Sequence, residues 1–399
     1  MRLLVVTNLY PPQELGGYGR SIADFVWGLQ QRGHQLQVIS SDAPHLGPSA
    51  NTGPSGEAVD RRLQLKGTYQ GGVQPLQDAG QRQAVDRANS SLLEHWLQSA
   101  PWDGILLGNL DLLGPELLAP LLKAGIPVQH HVGFVSPPYH PAQAPREPHY
   151  QLVAASEAVR AGLLGAGLPV AQAPVVYPGA RTELFELAMP GPLPADGSRN
   201  RPLKLCFAGL LMASKGAHTV VEALIQLQRR GFWVQLSLAG APFQAQYREQ
   251  IEALLQQHGL EQQVQWVGQL HRPQLARFLA LHHVGVFPSI HPEAFGIVGA
   301  EMQASGLVLV TSGVGGAAEL VEDGQTGLRF QPGDASSLAA CLERLIRNPA
   351  WAEKLALAGR ERVRQRFSVQ QAAAQLEQGF RNPNSSAQAD KREPTPVLF

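Results

Sequence analysis

Short apolar runs alternate with longer stretches in which apolar residues recur every three or four positions, and this rhythm restarts once, near residue 201. Continuous apolar runs of that length predict strands buried on both faces, and the longer pattern predicts helices that cover them. In the first half, Leu3–Thr7 reads as a strand. A loop through Pro11, Pro12, Gly16 and Gly17 leads into an amphipathic helix with Ile22, Phe25, Val26 and Leu29, which Gly33 ends. Leu36–Ser40, Gly104–Leu107, Ile126–His131 and Leu152–Ala155 read as further strands, and Leu92–Leu97 as helix. Ser156 is the expected N-cap of a helix through Leu164. Residues 44–82, rich in Gly, Pro, Gln and Ser, predict a long irregular excursion.

The segment 190–200 is built of turn formers and predicts a linker. Beyond it, Leu203–Ala208, Val234–Ala239, Val264–Val267, Val284–Phe287 and Val308–Thr311 read as strands. Val220–Gln228, Gln274–Leu281 and Leu338–Ile346 read as helices, and helical pattern continues to about Arg381. The expected architecture is α/β, with two Rossmann-like doubly wound domains facing a cleft. Residues 1–189 form the first domain and 201–365 the second. A helix over 366–381 returns to the first, and 382–399 is a disordered tail.

Composition narrows the function. Lysine plus arginine equals 32 and aspartate plus glutamate equals 32, so no global charge attracts nucleic acid. Attraction to a phosphorylated ligand then has to come from a local site. The 2 cysteines, Cys206 and Cys341, lack metal-ligand spacing and suit a reducing compartment. The opening apolar run is too short for a signal peptide, and no stretch of about 18 apolar residues spans a membrane. The expectation is a cytoplasmic protein, with docking on the cytoplasmic membrane face left open.

The most informative stretch runs from Pro288 to Gly306. A strand ends near Phe287, and a helix begins around Phe295–Ile297. That helix start offers unpaired backbone N–H groups to an anion such as a diphosphate. Glu293 precedes the helix and Glu301 lies one turn inside it, a rise of ~6 Å from residue 297. One carboxylate can meet a transferred sugar while the other accepts ribose hydroxyls. No Asp-x-Asp occurs, so a metal-bridged diphosphate has no obvious ligand set, and no metal or cofactor is expected.

The Glu293–Glu301 spacing resembles the Glu-x7-Glu signature of the large family of retaining GT-B glycosyltransferases. The resemblance extends through Val314-Gly315-Gly316, Glu319, Asp323-Gly324, Gly327 and Pro332-Gly333-Asp334, and back to Lys215-Gly216, Ser156-Glu157 and Arg32-Gly33-His34. It covers the chain apart from residues 44–90 and the tail. It implies transfer of a sugar from a nucleotide sugar to an acceptor hydroxyl, the acceptor being unidentified (glycan, lipid or small molecule). Glu293 would orient the sugar, Lys215 would neutralise the departing diphosphate, and Glu301 would hold the ribose. Gly16 and Gly17 would approach the diphosphate, as would the helix start Phe295-Gly296-Ile297. A histidine at a strand end, His131 in preference to His130, would lie near the sugar. Retention of anomeric configuration follows the same resemblance, with the acceptor entering on the face the diphosphate leaves.

Three departures stand out. Gly209-Leu210-Leu211 replaces the family's usual Gly-Arg-Leu, removing a cation, and Pro178 and Arg181 occupy the Asn and Asp positions of an Asn-Gly-x-Asp turn. They motivate a rival reading, a non-catalytic GT-B protein that only binds a nucleotide sugar. A second rival is a nicotinamide-dependent oxidoreductase or epimerase, suggested by Gly313-Val-Gly315-Gly316-Ala-Ala318. No acidic residue closes a second strand about 20 positions later, as that motif requires.

Overall fold

A computed structural model describes residues 1–187, 195–241, 243 and 245–382. It has two compact units, Met1–Pro178 continued from Gln370, and Gly179–Val369. The first unit holds strands β1 (Arg2–Val6), β2 (Gln35–Ser41), β3 (Ala58–Leu63), β4 (Gly67–Thr68), β5 (Gln74–Pro75), β6 (Gly104–Leu107), β7 (Val128–Val132) and β8 (Tyr150–Ala154). The second holds β9 (Leu203–Ala208), β10 (Val234–Ala239), β11 (Val264–Gly268), β12 (Val284–Phe287), β13 (Val308–Thr311) and β14 (Leu328–Arg329).

Each unit is built on one parallel sheet. The orders are β3-β2-β1-β6-β7-β8 and β11-β10-β9-β12-β13-β14. Both are the doubly wound order, which reverses beside the first strand, and ligands of such sheets bind outside the carboxyl ends of the strands at that reversal. Helices cover both faces, which is why Leu3, Leu4, Val5 and Val6 are all fully buried and β1 shows no alternation.

The helix Ala335–Arg347 shows how the second unit is held. Asp334 caps it by accepting from the N–H groups of Ser336 and Ser337. Its buried stripe of Leu338, Leu342, Leu345 and Ile346 joins a core with Leu224, Val220 and Leu236. Truncating one such leucine to alanine costs ~2–5 kcal/mol. The closing helix Val369–Arg381 belongs to the first unit. Leu376 and Phe380 enter its core, Gln129 Nε2 donates to the Leu376 carbonyl at 2.8 Å, and Glu377 pairs with Arg32 and Arg381.

Two expectations change. The excursion over 44–82 contains β3, the edge strand of the first sheet, and the β4–β5 hairpin. Val59, Arg61 and Leu63 are buried in alternation, but an arginine at the central inward position hides the strand pattern. The linker expected over 190–200 lies partly outside the described residues. Of the rest, Ala195 enters the second core, and Trp233 N–H donates to the Gly197 carbonyl at 2.6 Å. Residues 179–187 belong with the second unit rather than the first. The tail beyond Asn382 lies outside the described residues. Among those residues no helix is long and apolar enough to cross a membrane.

Candidate functional site

At the reversal of the second sheet, β9 and β12 lie side by side and the chain leaves both in the same direction. After β9 it makes a single turn, Ala213–Lys215, and enters the helix Ala217–Arg229 through Gly216 at φ +73°. A Cβ at Gly216 would lie 2.0 Å from the Pro288 carbonyl oxygen, so no side chain fits there. Ile290 N–H donates to the Ser214 carbonyl at 2.8 Å. These contacts zip the loop after β9 to the loop after β12.

That zipper brings Lys215 and Glu293 together. Lys215 Nζ lies 2.6 Å from Glu293 Oε1, with the two side chains 30% and 17% exposed. The same oxygen accepts a hydrogen bond from the Ser289 hydroxyl, itself buried. The Glu293 backbone is held as well. Its N–H donates to the Val314 carbonyl at 3.2 Å, and its carbonyl accepts from Gly316 N–H at 2.7 Å. Gly315, at φ +63°, passes so near that a Cβ would meet the Glu293 carbonyl at 2.5 Å. The cation and the carboxylate are therefore both partly exposed and rigidly placed.

The helix Ile297–Ala304 starts just beyond, capped by Gly296. Gly296 and Ile297 are half-buried. The Phe295 side chain, in contrast, is a core residue, packed against Phe367 with ring centroids 5.3 Å apart, so only its backbone is available to a ligand. Glu301 is fully buried, with Oε1 3.6 Å from Arg272 Nε. A buried carboxylate needs such a partner, and Arg272, 16% exposed, reaches the surface.

The remaining expected residues are in the first unit. Gly16 is exposed at φ +70°, and Gly17 is the N-cap of the helix Tyr18–Gln31. His131, expected beside the transferred sugar, is a core residue. Solvent does not reach it, its Nε2 donates to the Val176 carbonyl at 2.9 Å, and its ring meets Phe25 edge-on. Burial pulls its pKa down to about 4, with the Val176 carbonyl acting the other way. His130 is buried too, hydrogen-bonded to the Tyr150 hydroxyl at 2.6 Å, and its pKa falls to about 3 by burial and the neighbouring ring. Adjacent residues on a strand face opposite sides, and both sides of this sheet are covered.

Sequence reasoning missed Ser289 and Arg272. No motif marks either, because Ser289 meets Glu293 within the loop after β12 and Arg272, at the start of the helix Arg272–Leu279, meets Glu301 across 29 positions of sequence.

Comparison with known proteins gives this geometry a setting. Residues 194–362 match the family described as glycosyl transferases group 1. A glycogen synthase of Mycobacterium tuberculosis is 28% identical, with 100% of this chain and 98% of that protein aligned. An alpha-maltose-1-phosphate synthase of Mycolicibacterium smegmatis is 34% identical over 52% of this chain and 56% of that protein. Among solved structures, Anabaena HepE in complex with UDP and glucose superimposes with a TM-score of 0.71 at 20% identity, covering 96% of this chain and 100% of that one. Sucrose-phosphate synthase from Thermosynechococcus elongatus does so at 0.73 and 21%, covering 97% and 100%. The chain is thus a glycosyltransferase of GT-B fold, and its residues 194–362 carry the group 1 glycosyl transferase domain.

Proposed function

We propose that this enzyme moves a sugar from a nucleoside diphosphate sugar to an acceptor hydroxyl with retention of configuration and without a metal ion. The observation that carries the reading is the Lys215–Glu293 pair, 2.6 Å apart where the second sheet reverses, at the head of the helix Ile297–Ala304. The donor diphosphate takes the lysine, and the helix N-terminus adds backbone donors and a partial positive charge. Release from Lys215 leaves Glu293 to accept hydroxyls of the sugar, held in place by Ser289. Glu301 accepts the ribose hydroxyls once Arg272 turns aside. The solved neighbour that holds UDP and glucose supports a uridine donor.

The electrostatic contribution decides the chemistry. As the glycosidic bond breaks, charge grows on the departing phosphate, and a fixed lysine stabilises it more than it stabilises the bound donor. The position two before Met212 is a leucine, so Lys215 bears this charge with less help than a second cation beside it would give.

Thermal-shift measurements against nucleoside diphosphates test the reading, followed by product analysis with the matching sugar donor. The expected result is stabilisation by UDP, product of the donor's own anomeric configuration, and turnover that survives a chelator. Stabilisation by no nucleoside diphosphate, or an inverted product, would contradict it. Glu293→Gln is expected to lower turnover by roughly 10²-fold or more with the melting temperature little changed.

A further inference from the structure

The first sheet has its own reversal, between β1 and β6, and the chain leaves both strands at the same edge. Just past β1 is Asn8, and just past β6 is the turn Gly108–Gly114. Asn8 is buried, and its carbonyl accepts from Ser41 N–H at 3.3 Å, tying it to the end of β2. Its Nδ2 donates to the Tyr69 hydroxyl at 2.7 Å and to the Asp111 carbonyl at 3.2 Å. Tyr69 is also buried, and its hydroxyl lies 3.1 Å from the Asp111 carbonyl and 3.4 Å from Asp111 Oδ2.

Asp111 itself is exposed. The next residue, Leu112, has φ +58°, the one positive value at a non-glycine among the described residues. Leucine rarely takes that conformation, which costs on the order of 1–3 kcal/mol. It is fixed by Lys66 N–H donating to its carbonyl at 2.6 Å and by packing beside Leu9 and Tyr69. The turn thereby presents the aspartate at the place where ligands of such sheets bind.

A count of hydrogens specifies the ligand. Both Nδ2 hydrogens of Asn8 are spent within the cluster, and the Tyr69 hydrogen is directed at Asp111. What faces outward is a carboxylate, which accepts only. A phosphate or carboxylate brings no donor and is repelled, whereas hydroxyl groups bring their own hydrogens. One strand over, past β7, Phe134 and Val135 are exposed at 45% and 36%, giving that edge the apolar surface on which C–H faces of sugars rest. Partial burial raises the Asp111 pKa, and the hydrogen bonds from the Tyr69 hydroxyl and the Leu112 backbone act the other way.

The geometry points to an acceptor subsite formed by Asn8, Tyr69 and Asp111, in which the Asp111 carboxylate accepts hydrogen bonds from hydroxyls of a neutral polyhydroxylated molecule. This rests on the sugar-transfer reading, and it names the class of the second substrate.

Maltose and glucose 1-phosphate serve as probes, neutral and anionic, with binding followed by saturation-transfer NMR and UDP binding followed by calorimetry. The wild-type protein is expected to bind maltose in preference to glucose 1-phosphate. Asp111→Asn should weaken maltose by about tenfold, as loss of hydrogen bonds to a charged acceptor does, and leave UDP binding unchanged. Tyr69→Phe should weaken maltose less, and its melting temperature reports whether the fold survives. Absence of maltose binding, equal binding by Asp111→Asn, or preference for glucose 1-phosphate overturns the assignment. Failure of the wild-type protein to bind UDP would strike instead at the sugar-transfer reading.

Discussion

Lys215 and Glu293 are 78 positions apart in sequence and 2.6 Å apart in space. Each was legible because it sits in a short pattern, the lysine before a glycine and the glutamate eight residues ahead of Glu301. The histidines show where such reading stops. A strand-end histidine looks the same in sequence whether its ring faces a ligand or a core, and here Phe25 and Val176 enclose His131. Burial has a consequence that can be measured. The folded protein holds His130 near pKa 3 and His131 near 4, against 6.5 for an ordinary histidine, and His283 is likewise lowered to about 4. Below pH 6.5 the unfolded chain takes up protons that the folded protein refuses, so the contribution is present above pH 6.5 and is lost as pH falls toward about 4. Denaturant titrations are expected to show stability decreasing from pH 7 to pH 5, less steeply in His131→Gln at matched temperature. An equal slope in that variant would show that His131 takes no part.

Among elements, the loops after β9 and β12 are fixed by glycines rather than by side-chain packing. Gly216→Ala would place a methyl 2.0 Å from the Pro288 carbonyl in a left-handed backbone, so it is expected to cost ~1–3 kcal/mol and to lower turnover by displacing Lys215. Full activity in that variant would mean that the zipper does not position the lysine. In the first unit, Arg61 has the corresponding task. Buried in β3, it donates to the carbonyls of Pro11 at 2.7 Å and Ala50 at 2.6 Å, holding the loop that leads to Gly16. Arg61→Met strands those carbonyls, an expected loss of ~1–3 kcal/mol readable by urea titration. β3 escaped sequence reading for the same reason, since a buried arginine between turn formers looks like a loop. β14 escaped because two residues carry no period. In the second unit, β12 and β13 are readable to the residue because burial on both faces makes them continuous apolar runs, whereas β9, β10 and β11 carry polar residues at exposed positions and are read from their valines, leucines and aromatic residues.

For the molecule as a whole, the sequence announces two doubly wound units, yet the chain's division between them depends on contacts that no local pattern reveals. Phe367 belongs with Phe295 in the second unit, while Phe380, thirteen residues on, lies against Gly104 in the first. Phe380→Ala is expected to destabilise the first unit by ~3–5 kcal/mol. Hydrogen exchange should then rise in β1 and β6 and stay unchanged in β9 and β12. Nucleotide is expected to protect the opposite set, because the lysine, the paired glutamate and the helix start all belong to the second unit. The central claim is that Lys215, freed from Glu293, receives the donor's diphosphate. Calorimetric titration of UDP into the wild-type protein and Lys215→Ala tests it most directly. Binding weakened by about tenfold or more, ~1.4 kcal/mol, is the predicted result, and UDP binding of equal strength in the two proteins would contradict it.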